Sequence, residues 1–408
     1  MVKTNIVGNL HACRTKVVLT PPIAHQTTPT QRSVMDYDLN GRTCPYKLGP
    51  KCHRQNVVEL QCTSVYPFGQ QPEQDQISDI ALSADSRYLA LVTTSTKQLV
   101  VYELPQLESK KTFSIPRSAS RIRFTVDSTQ ILVADKSGDV LIYNIMHEDS
   151  GTKLLGHLSL LLDVLQTNDL RFIVSSDRDE KIKVSCYPNT YNIQTYCLGH
   201  KEFVNHIELL PHDDKHLLST SGDGTVKIWD YTEGRLCHTI NTYVDVNDNQ
   251  LKDDFIKLMD NGGIEVNSLP IVHCTIAKLK NNHSLLALTV HSYNAILVYS
   301  LETTNKFNHK LEENLKLKRF PAAIQFNDTS LYVYDDCEFN VNVFKLLQSS
   351  ENISFELDNK IKVFENINLQ SETHESQFES IKVLYKRKFD NVQEYQERKK
   401  QRIEKSVK

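Results

Sequence analysis

The sequence has 408 residues, a formal net charge of -3, 39% hydrophobic residues and 24% charged residues. So near-neutral a balance excludes a protein that coats nucleic acid over its whole surface, and any basic surface must be local. The nine cysteines form no CxxC pair, and Cys44 to Cys52-His53 lacks zinc spacing, so reduced intracellular thiols and no metal site are expected.

The first residues, MVKTNIVGNLHACRTK, hold no apolar core of signal-peptide length, and no later run reaches the length of a membrane span. A soluble intracellular protein is expected. Residues 1–73 are the least regular part. Val17-Val18-Leu19 and Asn56–Tyr66 read as strands, and PPIAHQTTPTQRS between them reads as loop.

From Ile77 a period sets in. Six nine-residue windows align without gaps: Thr94–Tyr102, Asp135–Tyr143, Asp177–Ser185, Ser221–Trp229, His291–Tyr299 and Asp336–Phe344. Each is a polar turn feeding a β-branched strand, and five of the six end on an aromatic residue. Their last residues lie 41, 42, 44, 70 and 45 apart. The common value fits the period of roughly 40–45 residues of a WD repeat, four short strands that make one propeller blade. The long interval marks an insertion at 241–269, rich in aspartate and expected as solvated loop or short helix. Leu198–Asp230 is the fullest single repeat, opening on Gly199-His200 and closing on Trp229-Asp230.

The expected fold is therefore all-β, a WD40 β-propeller of seven blades spanning 74–348, with residues 1–73 as a divergent first blade. The last blade is expected to borrow a strand from the other terminus, which removes sheet edges. Residues 349–380 read as a polar linker. Residues 381–408 read as a basic helix, because beyond Asp390 they lack Gly and Pro and are rich in Glu, Gln, Lys and Arg.

The Gly-His pairs invite a catalytic or metal reading, but a structural one fits better. His200, Ser219 or Thr220, Asp223 and Trp229 match the buried hydrogen-bonded set of a WD blade, and His157 matches with Asp179 as its partner. The turn Asp177–Lys181 is the unusual one, with five consecutive charged residues where neighbouring turns contain glycine. A charge run is a solvated turn by default; a docking peg is the sharper alternative. Ser185 stands where an aromatic is expected. The basic terminus reads as import signal, solvated tail or phosphate-tracking element. No GxGxxG, GxSxG, Walker A or HExxH motif is present, so no catalytic residue is assigned.

Several strings carry a more specific likeness: LVADKSGDV at Leu132–Val140, GHLSLLLDV at Gly156–Val164, DRDEKIKVS at Asp177–Ser185, LGHKEFV at Leu198–Val204, STSGDGT at Ser219–Thr225 and LYKRKFDNVQEYQERKKQR at Leu384–Arg402. From Ile77 to Arg402 the chain resembles the WD-repeat, non-catalytic subunits of tRNA (guanine-N7)-methyltransferase, the wuho family. The resemblance implies a heterodimer in nucleus and cytoplasm. A separate catalytic subunit of Rossmann type would bind S-adenosylmethionine and methylate a guanine in the tRNA variable loop, with no cofactor on this chain. It further implies that Arg178, Asp179, Glu180, Lys181 and Lys183 face that partner. Lys386, Arg387, Lys388, Arg398, Lys399 and Lys400 are the candidate tRNA contacts. The rival reading is a generic WD scaffold in another complex, which would have no reason to carry the terminal LYKRKFDNVQEY block.

Overall fold

The computed structural model describes residues 16–19, 56–59, 76–147, 150–211, 213–279, 283–303, 306–348, 353–362 and 374–386. A two-stranded antiparallel pair comes first, β1 (Lys16–Leu19) with β2 (Asn56–Glu59), in the region read as a divergent blade. Six four-stranded antiparallel sheets follow, each built of consecutive strands. Blade I is β3–β6 (Ile77–Leu82, Tyr88–Thr93, Gln98–Glu103, Glu108–Ser114) and blade II is β7–β10 (Ala119–Phe124, Gln130–Asp135, Asp139–Asn144, Thr152–Gly156). Blade III is β11–β14 (Leu161–Gln166, Phe172–Asp177, Ile182–Cys186, Ile193–Cys197) and blade IV is β15–β18 (Val204–Leu210, Asp213–Ser221, Thr225–Asp230, Arg235–Asn241). Blade V is β19–β22 (Ile271–Lys278, His283–Val290, Ala295–Glu302, Asn308–Lys316) and blade VI is β23–β26 (Ala323–Asn327, Ser330–Asp335, Asn340–Gln348, Ile353–Lys362).

Burial grades outward through each blade. Every residue of β4 and β12 is buried, whereas β6 and β14 are largely exposed. A strand covered on both faces by neighbouring blades is largely apolar, as YLALVT is, and the polar half of FIVSSD is buried because Ser175, Ser176 and Asp177 all have hydrogen-bond partners. The turns between first and second strands repeat one chemistry. Ser83, Thr125 and Thr167 donate to Asp85, Asp127 and Asp169 at 2.6, 2.6 and 2.5 Å, and Ser86, Ser128 and Leu170 each follow with a left-handed φ near 60°.

Blades are stitched through their inner strands. A bulge precedes Asp79, Arg121, Asp163, His206 and His273, setting these residues at one equivalent position. Asp79 then accepts the Ile122 backbone N–H at 2.7 Å and Asp163 that of Ile207 at 3.0 Å, so each carboxylate reaches into a later blade. Arg123 forks onto Asp163 at 3.0 and 2.6 Å. Burial raises the Asp163 carboxyl, but Arg123, Arg121 and His206 outweigh it and hold the group well below the usual range.

Two expected boundaries change, and the insertion takes one of its two expected forms. Blade VI does not end at 348 or borrow a distant strand: Ile353–Lys362, in the stretch read as linker, is its fourth strand and pairs with β25 from Asn340↔Lys362 to Gln348↔Ile353. Pairing relieves the exposed edge of β25 locally, so no strand exchange is needed. The insertion holds the short helix, the second of the two forms expected for it. It forms a 3-10 turn (Thr242–Val244) and α1 (Asn249–Asn261), capped by the Asp248 side chain on Leu251 N–H at 2.9 Å, and it buries Val246, Phe255, Met259, Ile264 and Val266. At the C-terminus, α2 runs over His374–Lys382, starting in the stretch read as linker and overlapping the start of the helix expected over 381–408, of which residues 387–408 lie outside the described residues. Leu384 and Tyr385 then make short-range bonds to the Ile381 and Lys382 carbonyls, a tightening that turns Tyr385 inward. Among the described residues no helix is long and apolar enough to cross a membrane.

Candidate docking site

Blade IV contains the hydrogen-bonded set the sequence suggests. His200 Nδ1 lies 3.0 Å from Asp223, its Nε2 lies 2.8 Å from Ser219 Oγ, and Trp229 Nε1 donates to the same Oγ at 2.8 Å. Ser219 fills this place, while Thr220 donates to Asn205. Burial lowers the His200 pKa. It pushes Asp223 upward, but His200, Thr225 and the Lys201 N–H outweigh that and bring it to about 2. A neutral imidazole bonded to a buried carboxylate holds the blade together and leaves no free base for chemistry.

Blade III rearranges the same set. His157 pairs with Asp177 at 2.8 Å, not with Asp179, and its other nitrogen lies 2.8 Å from Ser175. Asp177 ends β12, so its carboxylate both meets the imidazole and accepts the Lys181 N–H at 3.0 Å, closing the turn. Column alignment with Asp223 hides this, because the structural carboxylate has moved two positions along the chain. Asp179 is thereby released to the tip of the turn. Next to it, Glu180 has φ +71°, the same value as Gly224 at the equivalent place in blade IV, and Gly138 has +102° in blade II. A side chain stands where the two adjacent blades use glycine, as Lys97 (φ +51°) and Phe339 (φ +50°) do at the same place in blades I and VI; what is particular to Glu180 is its charge.

The five residues expected to face a partner divide. Asp179 and Glu180 expose about a third of their side chains and Lys181 is exposed. Arg178 is half-buried, its N–H donating to Leu160 O at 2.9 Å and its Nε enclosed without a partner among the described residues. Lys183 is different: it is buried and donates to Gly156 O at 2.5 Å. It packs the blade as Lys227 does, which donates to Thr239 at 3.2 Å. Of the five, Arg178–Lys181 reach the surface and form the candidate docking turn, while Lys183 does not.

The sequence gives less warning of what lies against this turn. Tyr385 is buried, donates its hydroxyl to Gly222 O at 2.8 Å and meets the Phe203 ring edge-on at 5.0 Å. That places Lys386 2.6 Å from Glu180 and 3.7 Å from Asp179. One expected tRNA contact is therefore committed to the docking turn, and Arg387, Lys388, Arg398, Lys399 and Lys400 lie outside the described residues. Phe378 of α2 packs on Phe255 of α1, so the insertion seats the returning C-terminal segment. Glu202 completes the acidic group. Burial, then the charge of Glu180, raises its pKa to about 7 against the pull of Lys386. Beside it opens a cleft of about 350 Å³ lined by Lys201, Glu202, Asp223, Lys227, Tyr243 and Glu265 among others. The legible sign of this contact is Tyr385, an aromatic residue that follows Val383-Leu384 and heads the basic run Lys386–Lys388.

A family model described as "tRNA methyltransferase TRM82 WD40 domain" matches residues 25–153 and 147–352. The chain is 31% identical over 345 residues to the tRNA (guanine-N(7)-)-methyltransferase non-catalytic subunit wuho of Drosophila pseudoobscura pseudoobscura, covering 80% of this chain and 78% of the relative. Over 162 residues it is 40% identical to the tRNA (guanine-N(7)-)-methyltransferase non-catalytic subunit WDR4 of Mus musculus, covering 40% of this chain and 39% of the relative. A chain in the solved structure "Crystal Structure of Mitotic Checkpoint Complex" superposes with a TM-score of 0.51 at 10% identity over 76% of this chain and 84% of that one. At that identity the likeness shows the propeller fold alone.

Proposed function

The chain belongs to the tRNA methyltransferase TRM82 WD40 family, and from that premise we propose that it is the non-catalytic subunit of a heterodimeric tRNA (guanine-N7)-methyltransferase, docking its catalytic partner on the turn Arg178–Lys181. The relatives' names support a subunit role, and the propeller supplies a rigid frame. The observation that carries the site is Glu180, an acidic side chain held in a glycine conformation at the tip of an exposed charged turn. A turn fixed by two paired strands loses little freedom on binding, so its charges act at low entropic cost. Desolvated charge pairs across such a contact couple by roughly 1.5–7 kcal/mol, wet ones by about 0–1. The first range is what a partner that depends on this subunit for its stability and activity requires.

On this reading S-adenosylmethionine and the chemistry at a variable-loop guanine belong to the partner. Contact with tRNA runs through the complex and Arg387, Lys388, Arg398, Lys399 and Lys400, with Lys386 left to Glu180. The test is co-expression of Glu180→Lys with the catalytic subunit. Loss of co-purification and of tRNA methylation is expected; undiminished binding and methylation would remove the turn from the account.

A further inference from the structure

Leu158 is the most exposed large apolar side chain among the described residues, at 108% of its reference area; the next, Tyr191, stands at 81%. It sits on the short connection from β10 to β11. Nothing about its surroundings is loose. On one side the buried His157 side chain is fixed by Asp177 and Ser175, and the His157 N–H donates to Gly138 O at 2.7 Å. On the other, Ser159 is buried and Leu160 O accepts the Arg178 N–H at 2.9 Å. The turn of blade II closes on the same backbone: a Cβ at Gly138 would stand 2.6 Å from His157 O and 2.7 Å from Ser159 O. The loop is thus clamped between two blade turns, and the leucine is presented outward from a fixed base.

We propose that Leu158 is the apolar anchor of the interface with the catalytic subunit, entering an apolar pocket on that subunit. The proposal rests on the docking role given above to the adjoining turn. The hydrogen bond from Arg178 makes the loop and the turn one surface, with an apolar centre and charged groups at its edge. Tight interfaces share that anatomy: a desolvated anchor carries the energy and a polar rim excludes water. Preorganisation matters as well, since a clamped side chain has little left to lose on burial. The pocket's rim is expected to offer cations to Asp179 and Glu180 and an anion to Arg178.

The full-length chain and the purified catalytic subunit provide the test, with Leu158→Ala, Leu158→Asp and Glu180→Lys measured side by side. Three buried carbons lost in Leu158→Ala correspond to a Kd weakened roughly tenfold to a hundredfold. Leu158→Asp should abolish the complex at micromolar concentration. Because the side chain is exposed, each Leu158 variant should melt with the wild-type isolated chain. The Leu158→Ala defect should persist as salt rises, whereas that of Glu180→Lys should change with ionic strength. Wild-type affinity of Leu158→Asp with lost affinity of Glu180→Lys would overturn the anchor and leave the docking turn standing. Wild-type affinity of both would overturn the docking turn and the anchor together. A melting temperature of isolated Leu158→Asp lowered in step with its binding would make the residue structural and overturn the proposal.

Discussion

Glu180 combines two opposed demands. Its backbone occupies the left-handed region, which costs a side-chain-bearing residue roughly 1–2 kcal/mol. Its carboxylate is the tip of the docking turn and pairs with Lys386, an exposed pair that contributes little to stability. The two demands separate by substitution. Glu180→Gly should be more stable than Glu180→Ala by about 1 kcal/mol in denaturant titration, since only glycine relieves the backbone. Both should lose partner binding to the same extent; a glycine variant that bound normally would show that the carboxylate is idle. Glu202 offers a second check through pH. The folded chain holds it protonated up to about pH 7, against an ordinary value of 4.5, with burial first and then Glu180 and Asp223 pushing it up and Lys386 pulling it down. Between those values the folded state binds the extra proton, so wild-type stability falls as pH rises across the window. Glu202→Gln lacks that loss: its melting temperature should exceed wild type at pH 8 and match it near pH 4.5. A constant offset at both pH values would reject this account.

At the scale of elements, α1 and α2 show how an interruption of the repeat becomes a support. Phe255 and Met259 give α1 a buried face over blades IV and V, and Phe255 receives Phe378 of α2. Tyr385 then reaches Gly222 O across a sequence separation of 163 residues. Tyr385→Phe keeps the ring and removes the hydroxyl, leaving a buried carbonyl without its donor. A loss of about 1–3 kcal/mol is expected, with faster amide exchange in α2 as its local signature. An unchanged exchange rate in α2 would mean that the hydroxyl does not hold the segment. Sequence periodicity shows that the repeat breaks at 241–269 but not what fills the break. Asp248 is exposed and caps α1, as a solvated short helix requires, whereas Asp245 accepts the buried Tyr299 hydroxyl at 2.8 Å. Amphipathic contacts made between two distant segments leave no period to read.

For the whole molecule, legibility follows regularity. All six windows fall where a second strand turns into a third, because each blade repeats the same turn chemistry and the same burial gradient. The candidate turn is legible as a turn, since five consecutive charges among glycine-bearing neighbours stand out. Within the turn the assignment slipped. Asp177 and Asp179 are both plausible partners for His157, and only distance separates them. Lys183 aligns with Lys227 as a strand lysine, and its ammonium on the Gly156 carbonyl favours that reading over the interface one. Leu158 follows the same rule in reverse, an apolar residue in an apolar string whose outward aim is set by turns in two different blades.

The stitch at Tyr385 has a bearing on how the protein comes into being. A ribosome delivers the blades one after another from the N-terminal side, and each can close on its predecessor as it emerges. Blade IV is the exception: its Gly222 carbonyl and the edge of Phe203 await a residue made after every other sheet is complete. The nascent chain therefore leaves the Gly222 carbonyl uncapped beside the candidate docking turn, and that surface acquires its finished shape only once residue 385 has emerged.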